Sequence, residues 1–287
     1  MPHSIQSWRS LLTLSRASNL PTVWSNCLAA QWASGTINNL ASPKLLLAAS
    51  LLYTAGMFLN DAFDQKFDRT YRPERPIPAG LIPPAVVWFI GCAMLFAGTL
   101  LFTPFGPTTS LLACSLSAAI LLYNLTHKWM PGGPIIMAAC RSLLFLTVAS
   151  TTPNGISGTV VWLSLALGAY IVGLSYIAKS ESRPGVVRFW PCILLGTPIG
   201  LALILNDGSS LLPSIILMLG LAAWIAFSLQ FIYSASRKNV GTAVSGLLAG
   251  IVWVDLLATA GASPTLNLIF PLLFLLARTF QKSIPAT

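Results

Sequence analysis

The sequence predicts an all-α membrane protein, a polytopic bundle of nine to ten transmembrane helices with its N-terminus in the cytoplasm. Of its 287 residues, 55% are apolar and only 8% are charged, whereas a soluble domain carries about 25% charged residues. Ten apolar stretches approach the roughly 20 residues that a helix needs to cross a bilayer. We therefore expect one integral membrane domain over residues 1–287, with no soluble domain attached.

Proline, glycine and polar residues separate the predicted crossings. These crossings are 20–40, 44–61, 81–103, 108–126, 134–152, 157–178, 189–206, 210–233, 240–262 and 264–281. Only a tight turn joins the last two, which leaves nine crossings as the alternative. Residues 1–18 form an N-terminal segment that mixes apolar residues with Arg9 and Arg16, and this mixture predicts a short helix at the membrane interface.

The basic residues favour one orientation. If the N-terminus lies inside, 14 of the 16 Lys and Arg residues fall in inner segments, Lys44 alone lies outside, and Arg141 lies within a crossing. Such an excess marks cytoplasmic loops. It also accounts for the net charge of +9 without a nucleic-acid partner. We expect an integral protein of a bacterial inner membrane, surrounded by lipid, with its active-site loops facing the cytoplasm.

Acidic residues are scarce and crowded. Four of the seven, Asp61, Asp64, Asp68 and Glu74, lie within fourteen residues. On a continuing helix, Asn60, Asp64 and Asp68 would line one face at i, i+4 and i+8. Like charges at this spacing repel, so a cation should lie against them. Oxygen ligands suit Mg²⁺, which usually shares its coordination with substrate phosphates, and a diphosphate ligand is therefore indicated.

The residues that follow allow a second interpretation of the acids. Arg69, Arg72 and Arg75 lie on a proline-rich loop, and guanidinium groups pair well with phosphate oxygens. In the alternative, the acids belong to a solvated helix end and merely balance Lys66 and these arginines.

The N-terminal half resembles the UbiA family of intramembrane prenyltransferases. The family motif is matched by Asn60-Asp-x-x-Asp-x-x-x-Asp68, followed by Arg75-Pro-x-x-x-Gly80. The resemblance extends to Arg16-x-x-Asn-x-Pro21 and to Tyr123 with Lys128. It implies Mg²⁺-dependent transfer of an isoprenoid group from a polyprenyl diphosphate to an aromatic or other electron-rich acceptor.

The resemblance also implies roles for individual residues. The metal ligands would be Asn60, Asp61, Asp64, Asp68 and Glu181. The diphosphate would be bound by Asn60, Arg69, Arg72, Arg75, Tyr123, Lys128, Arg141, Lys179 and Arg183. The residues acting directly in catalysis would be Asp64, Asp68, Arg72 and Lys128.

The second half departs from the family pattern. A second acidic motif is expected after the sixth crossing, but Ile177 stands where its first Asp should be, and only Glu181 remains. One carboxylate beside Lys179 and Arg183 suits a phosphate better than a second Mg²⁺. This loop and a tenth crossing resemble the EboC-like branch of UbiA-like proteins. A non-catalytic membrane protein that binds or helps export a lipid-like or aromatic metabolite is therefore the alternative function.

Two charged residues fall inside apolar crossings. Arg141 and Asp255 are candidate functional residues because an unpaired charge there costs about 3 kcal/mol or more. Arg141 either reaches a phosphate cavity or bonds carbonyls of a neighbouring helix. A direct pair between the two is disfavoured by their different depths. His127 is expected to be an ordinary loop residue.

Overall fold

The structure is a computed structural model that describes residues 3–35, 42–179, 188–206, 208, 210–234 and 239–284, with side chains from Trp8 onward. Its regular structure throughout these ranges is helical. The helices are α1 (His3–Ser15), α2 (Leu20–Ala33), α3 (Pro43–Phe63), α4 (Gln65–Tyr71), α5 (Pro84–Phe102), α6 (Pro107–Thr126), α7 (Gly133–Ala149), α8 (Gly158–Lys179), α9 (Trp190–Leu195), α10 (Thr197–Leu205), α11 (Leu211–Tyr233), α12 (Val240–Ala258), α13 (Pro264–Asn267) and α14 (Ile269–Phe280).

Six of these helices are long and apolar enough to cross a membrane: α3, α5, α6, α8, α11 and α12. The described ranges also contain three shorter apolar helical segments, at 133–149, 190–205 and 264–280. Each corresponds to a predicted crossing, so the all-α membrane fold is confirmed. The number of crossings and the side on which the N-terminus lies stay predictions.

The first predicted crossing is shorter than expected. Residues 20–40 were predicted to span the membrane, but α2 ends at Ala33, and residues 36–41 lie outside the described ranges. Gly35 has a φ of 85° and its N–H donates to the Trp32 carbonyl. A left-handed glycine just after the last turn is a common helix stop.

Two other predicted crossings are each built from two helices. The stretch 189–206 divides into α9 and α10 at Gly196, and 264–281 divides into α13 and α14 at Leu268. Pro198 lies in the first turn of α10, where its missing N–H is tolerated. A proline inside one continuous helix would remove a hydrogen bond, so the chain begins a new helix there.

The short helix α2 lies at the centre of the bundle. It packs against α3, α7, α12 and α14, and Val23, Cys27 and Ala29 on it are fully buried. By contrast, only 22% of the apolar stretch that includes α5 is buried, against 67% of that on α12. Large side chains such as Phe89 and Phe96 on α5 are exposed. The outer helices thus present apolar faces of the kind that contact lipid.

Candidate functional site

The predicted acidic residues lie where α3 meets α4. Asn60 and Asp61 are in the last turn of α3, Asp64 lies between the helices, and Asp68 is on α4. The N–H of Asp64 donates to the Asn60 carbonyl, and that of Asp68 to the Asp64 carbonyl, both at 2.9 Å. The helical register therefore continues across the break. All four residues are buried, with at most 8% exposure. We call these four residues the acidic junction.

One face of the acidic junction is neutralised by Arg75. Its Nη1 lies 3.0 Å from Asp61 Oδ1 and 3.0 Å from Asp68 Oδ2. Asp61 and Asp68 are seven residues apart, a spacing that places them on one side of a helix. The loop after α4 returns Arg75 to this side, because Pro76 and Ile77 next to it are buried. One guanidinium thus serves two carboxylates.

The other face of the junction meets the end of α6. Lys128 Nζ lies 2.8 Å from Asp64 Oδ1, and His127 Nε2 lies 3.4 Å from Asp64 Oδ2. Burial raises the pKa of Asp64, but the hydrogen bonds and charges of His127 and Lys128 outweigh it and hold that pKa below its usual value. Asp64 is therefore an ionised carboxylate. Lys128 Nζ also lies 3.7 Å from the centre of the Phe67 ring.

A third basic residue reaches the junction from the turn between α1 and α2. Arg16 Nη2 lies 3.6 Å from Asp61 Oδ1 and 3.5 Å from Asn60 Oδ1. Arg16 itself has left-handed backbone angles, with φ of 44°. Asn60 Nδ2 donates to Asn124 Oδ1 on α6 at 3.1 Å. The junction is thus surrounded by side chains from three separate parts of the chain.

Sequence reasoning missed three of these neighbours. Arg16 belonged to a quoted motif but was not assigned to the site, Asn124 was not singled out, and His127 was taken as a loop residue. His127 does lie in the turn after α6, but its Nε2 is 3.4 Å from Asp64 Oδ2. For His127 the signal was its spacing from Tyr123, a predicted site residue: the His127 N–H donates to the Tyr123 carbonyl, and residues four apart share a helix face.

The remaining predicted site residues are more scattered. Arg72 ends α4 and is partly exposed, whereas Arg69 is exposed. Tyr123 stacks on His127 with ring centres 4.9 Å apart. Lys179 Nζ lies 3.5 Å from the Met130 carbonyl. Glu181 and Arg183 lie outside the described residues, so the predicted second motif is not placed.

Arg141 is not at the acidic junction. It lies inside the bundle, where it bonds Thr22 and Asn26 of α2. One of these bonds is to the Thr22 carbonyl, at 3.4 Å. This agrees with the second alternative for Arg141, in which it bonds carbonyls of a neighbouring helix. No direct bond to Asp255 is seen among the described residues, and Asn26 stands between them.

The donor chemistry of the junction fits a magnesium ion that is bound together with a substrate. The junction supplies carboxylate and amide oxygens, which are the ligands that Mg²⁺ prefers. Within the described part of the chain, no three His, Cys, Asp or Glu side chains are already gathered as a metal cluster. Mg²⁺ commonly takes only one or two carboxylates and completes its coordination with phosphates, so a preformed cluster is not required.

Comparison with known proteins agrees with this geometry. The model of the UbiA prenyltransferase family matches residues 18–239. The chain belongs to the UbiA family. The matched region contains α2 to α11, the acidic junction and the basic residues at the end of α6. An integral membrane prenyltransferase is the class of protein that this membership supports.

Curated relatives of this UbiA protein include digeranylgeranylglyceryl phosphate synthases of archaea. That of Methanothrix thermoacetophila is 29% identical over 61% of this chain and 66% of its own length. That of Ignicoccus hospitalis is 30% identical over 50% of this chain and 48% of its own length. The chain therefore matches about half to two thirds of the length of these relatives.

Two solved structures share the fold. One, from work on digeranylgeranylglyceryl phosphate synthase in membranes, has a TM-score of 0.59 at 19% identity and covers 91% of this chain and 99% of its own. The apo structure of a UbiA homologue from Aeropyrum pernix K1 has a TM-score of 0.50 at 17% identity, covering 92% of this chain and 95% of its own.

Proposed function

We propose that this chain transfers an isoprenoid group, within the membrane and with Mg²⁺, from a polyprenyl diphosphate to an electron-rich acceptor. The observation that carries the proposal is the acidic junction. Its three buried carboxylates each contact a basic side chain, Arg75 or Lys128. A site with both signs of charge can offer carboxylates to a metal and cations to a diphosphate.

The residues of the junction divide between these two ligands. Asn60, Asp64 and Asp68 would hold Mg²⁺, which when bound neutralises charge on the departing diphosphate. Arg75 and Lys128 exchange their carboxylate partners for phosphate oxygens, and Arg16 lies close enough to do the same. Each of these contacts strengthens as negative charge develops on the leaving group.

The reaction is a substitution at the first carbon of the donor. The bond between that carbon and the diphosphate oxygen breaks, and its electron pair leaves with the diphosphate. The resulting allylic cation is attacked by an electron pair of the acceptor, which then releases a proton. The apolar helices around the junction exclude water, which would otherwise capture the cation.

The names of the relatives suggest which acceptor to test first. A digeranylgeranylglyceryl phosphate is the product named for them, so the matching acceptor is a glyceryl phosphate that already carries one isoprenoid chain. An aromatic acid is the second acceptor to test. For the orientation, we propose that the acidic junction faces the cytoplasm, supported by the partition of basic residues. The named relatives are archaeal, so a bacterial inner membrane stays a prediction from the sequence.

The test uses the purified full-length protein in detergent. It is incubated with Mg²⁺ and labelled geranyl, farnesyl or geranylgeranyl diphosphate, with and without the two acceptors, and released diphosphate is measured. Glu74→Gln is the matched control, because Glu74 is an exposed acid near the junction. No release with any donor, together with no thermal stabilisation by Mg²⁺ and inorganic diphosphate, would overturn the enzyme and favour the non-catalytic alternative.

A further inference from the structure

A second set of charged and polar side chains lies inside the bundle, away from the acidic junction. Arg141 on α7 donates to Thr22 Oγ1 at 2.7 Å and to Asn26 Oδ1 at 2.8 Å. The amide nitrogen of Asn26 lies 2.7 Å from both carboxylate oxygens of Asp255 on α12, and the Ser25 hydroxyl bonds Asp255 as well. We call these five residues the interior network.

The positive charge of Arg141 is not fully matched in this network. Its carboxylate partner, Asp255, is reached only through the amide of Asn26. In the described part of the chain, the bonds to Thr22 and Asn26 use three of the five N–H groups of the guanidinium. A guanidinium in an apolar bundle with donors to spare is suited to a planar or tetrahedral anion.

Arg141 also faces a space inside the protein. On α7 it shares a face with Ala138, Phe145 and Val148, all of which are buried, yet Arg141 itself keeps accessible surface. The same is true of Tyr53, which shares the buried face of α3 with Gly56 and Asn60. Arg141 Cζ lies 5.9 Å from the Tyr53 ring centre. Both side chains therefore line an internal space rather than the outer surface.

The acidic junction lies further along the helix that carries Tyr53. Tyr53 precedes Asn60 by two helical turns, which corresponds to about 10 Å along α3. A molecule that contacts Arg141 beside Tyr53 is thus about 10 Å along α3 from a diphosphate at the junction. Two substrates bound at these two places would meet between them.

We propose that Arg141 binds the anionic headgroup of the acceptor, a phosphate monoester or a carboxylate, while the acidic junction binds the diphosphate of the donor. This inference rests on the proposed prenyl transfer and adds the acceptor site to it. It replaces the assignment of Arg141 to the diphosphate. Asp255 is a positioning residue: it fixes the Asn26 amide so that its oxygen faces Arg141 and the guanidinium is held toward the space.

The experiment compares charged and uncharged acceptors in Arg141→Gln. One pair is geranylgeranylglyceryl phosphate and its dephosphorylated alcohol, and the other is 4-hydroxybenzoate and its methyl ester. In Arg141→Gln we expect KM for the anionic member to rise roughly tenfold to a hundredfold. The uncharged member should be used equally by both proteins. Arg141→Lys, which keeps the charge, should recover part of the loss, and Arg278→Gln on α14 is the matched control.

Thermal unfolding in detergent separates this inference from the proposed function. Stabilisation by Mg²⁺ and inorganic diphosphate should be the same in Arg141→Gln and the unaltered protein, whereas stabilisation by the anionic acceptors should disappear. Equal losses with charged and uncharged acceptors would show a purely structural arginine. A lost response to diphosphate would return Arg141 to the donor site, and no response of the unaltered protein to either anionic acceptor would also overturn the inference. Failure of prenyl transfer itself would appear separately, as no diphosphate release with any donor.

Discussion

The acidic junction and the interior network handle buried charge in opposite ways. At the junction, Asp61, Asp64 and Asp68 each lie in direct contact with a basic side chain. In the interior network, Arg141 and Asp255 are separated by Asn26, which bonds both. A direct ion pair can exchange one charged partner for another without leaving a charge alone. A relay through a neutral amide instead fixes orientation. The junction is therefore built for exchange with ligands, and the interior network for holding one group still.

The largest expected effect is at the junction. Asp64→Asn removes a proposed metal ligand, and we expect kcat to fall by roughly 10²–10³-fold. The unfolding temperature should fall as well, because Lys128 loses its carboxylate partner. Removal of the metal with EDTA should abolish diphosphate release, and added Mg²⁺ should restore it. Persistent turnover in either experiment would contradict the assignment of the junction as the metal site, and Glu74→Gln should remain fully active.

Arg75→Gln tests whether one cation serves two carboxylates. Removing one partner of a buried ion pair costs about 3–5 kcal/mol, so we expect a clear fall in the thermal unfolding temperature as well as in turnover. The double variant Asp61→Asn/Arg75→Gln removes one of the two stranded charges. It should recover part of the stability but none of the activity. An unchanged unfolding temperature in Arg75→Gln would show that the pairs with Asp61 and Asp68 are not formed in solution.

Most of the fold was predictable from the sequence because hydropathy and helix length are local properties. The divisions of 189–206 and 264–281 were missed, since apolar composition does not show where a helix is interrupted. The pattern at the junction was predictable in part. The sequence identified Asn60, Asp64 and Asp68 with Arg75 and Lys128, but it did not identify Arg16, Asn124 and His127, which come from the turn before α2 and the end of α6. Their contacts depend on how distant helices pack, which spacing along the chain does not reveal.

Asp255→Asn probes the interior network with a smaller expected effect. The change removes the charge that the amide of Asn26 bonds, and disruption of such a buried bond costs about 1–3 kcal/mol. We expect a lower unfolding temperature in detergent, while stabilisation by Mg²⁺ and inorganic diphosphate stays unchanged. A loss of that stabilisation by diphosphate would mean that the interior network affects ligand binding at the junction.

Lys44→Gln should have the smallest effect of the series. Lys44 lies in the first turn of α3, at the end of the helix opposite the junction, and its Nζ lies 5.5 Å from the Phe105 ring centre. A substitution outside both networks is expected to change the free energy of unfolding by no more than about 0.5 kcal/mol. Thermal unfolding and diphosphate release should therefore match those of the unaltered protein. A substantial change would show that charge elsewhere in the bundle matters as much as charge in the two networks.

The left-handed backbone of Arg16 joins two tasks in one residue. Its main chain makes the turn from α1 to α2, and its side chain reaches Asp61 and Asn60. Because one residue carries both tasks, most substitutions of Arg16 would alter the turn and remove a cation from the acidic junction together. Glycine, which adopts left-handed backbone angles readily, would keep the turn and remove only the cation.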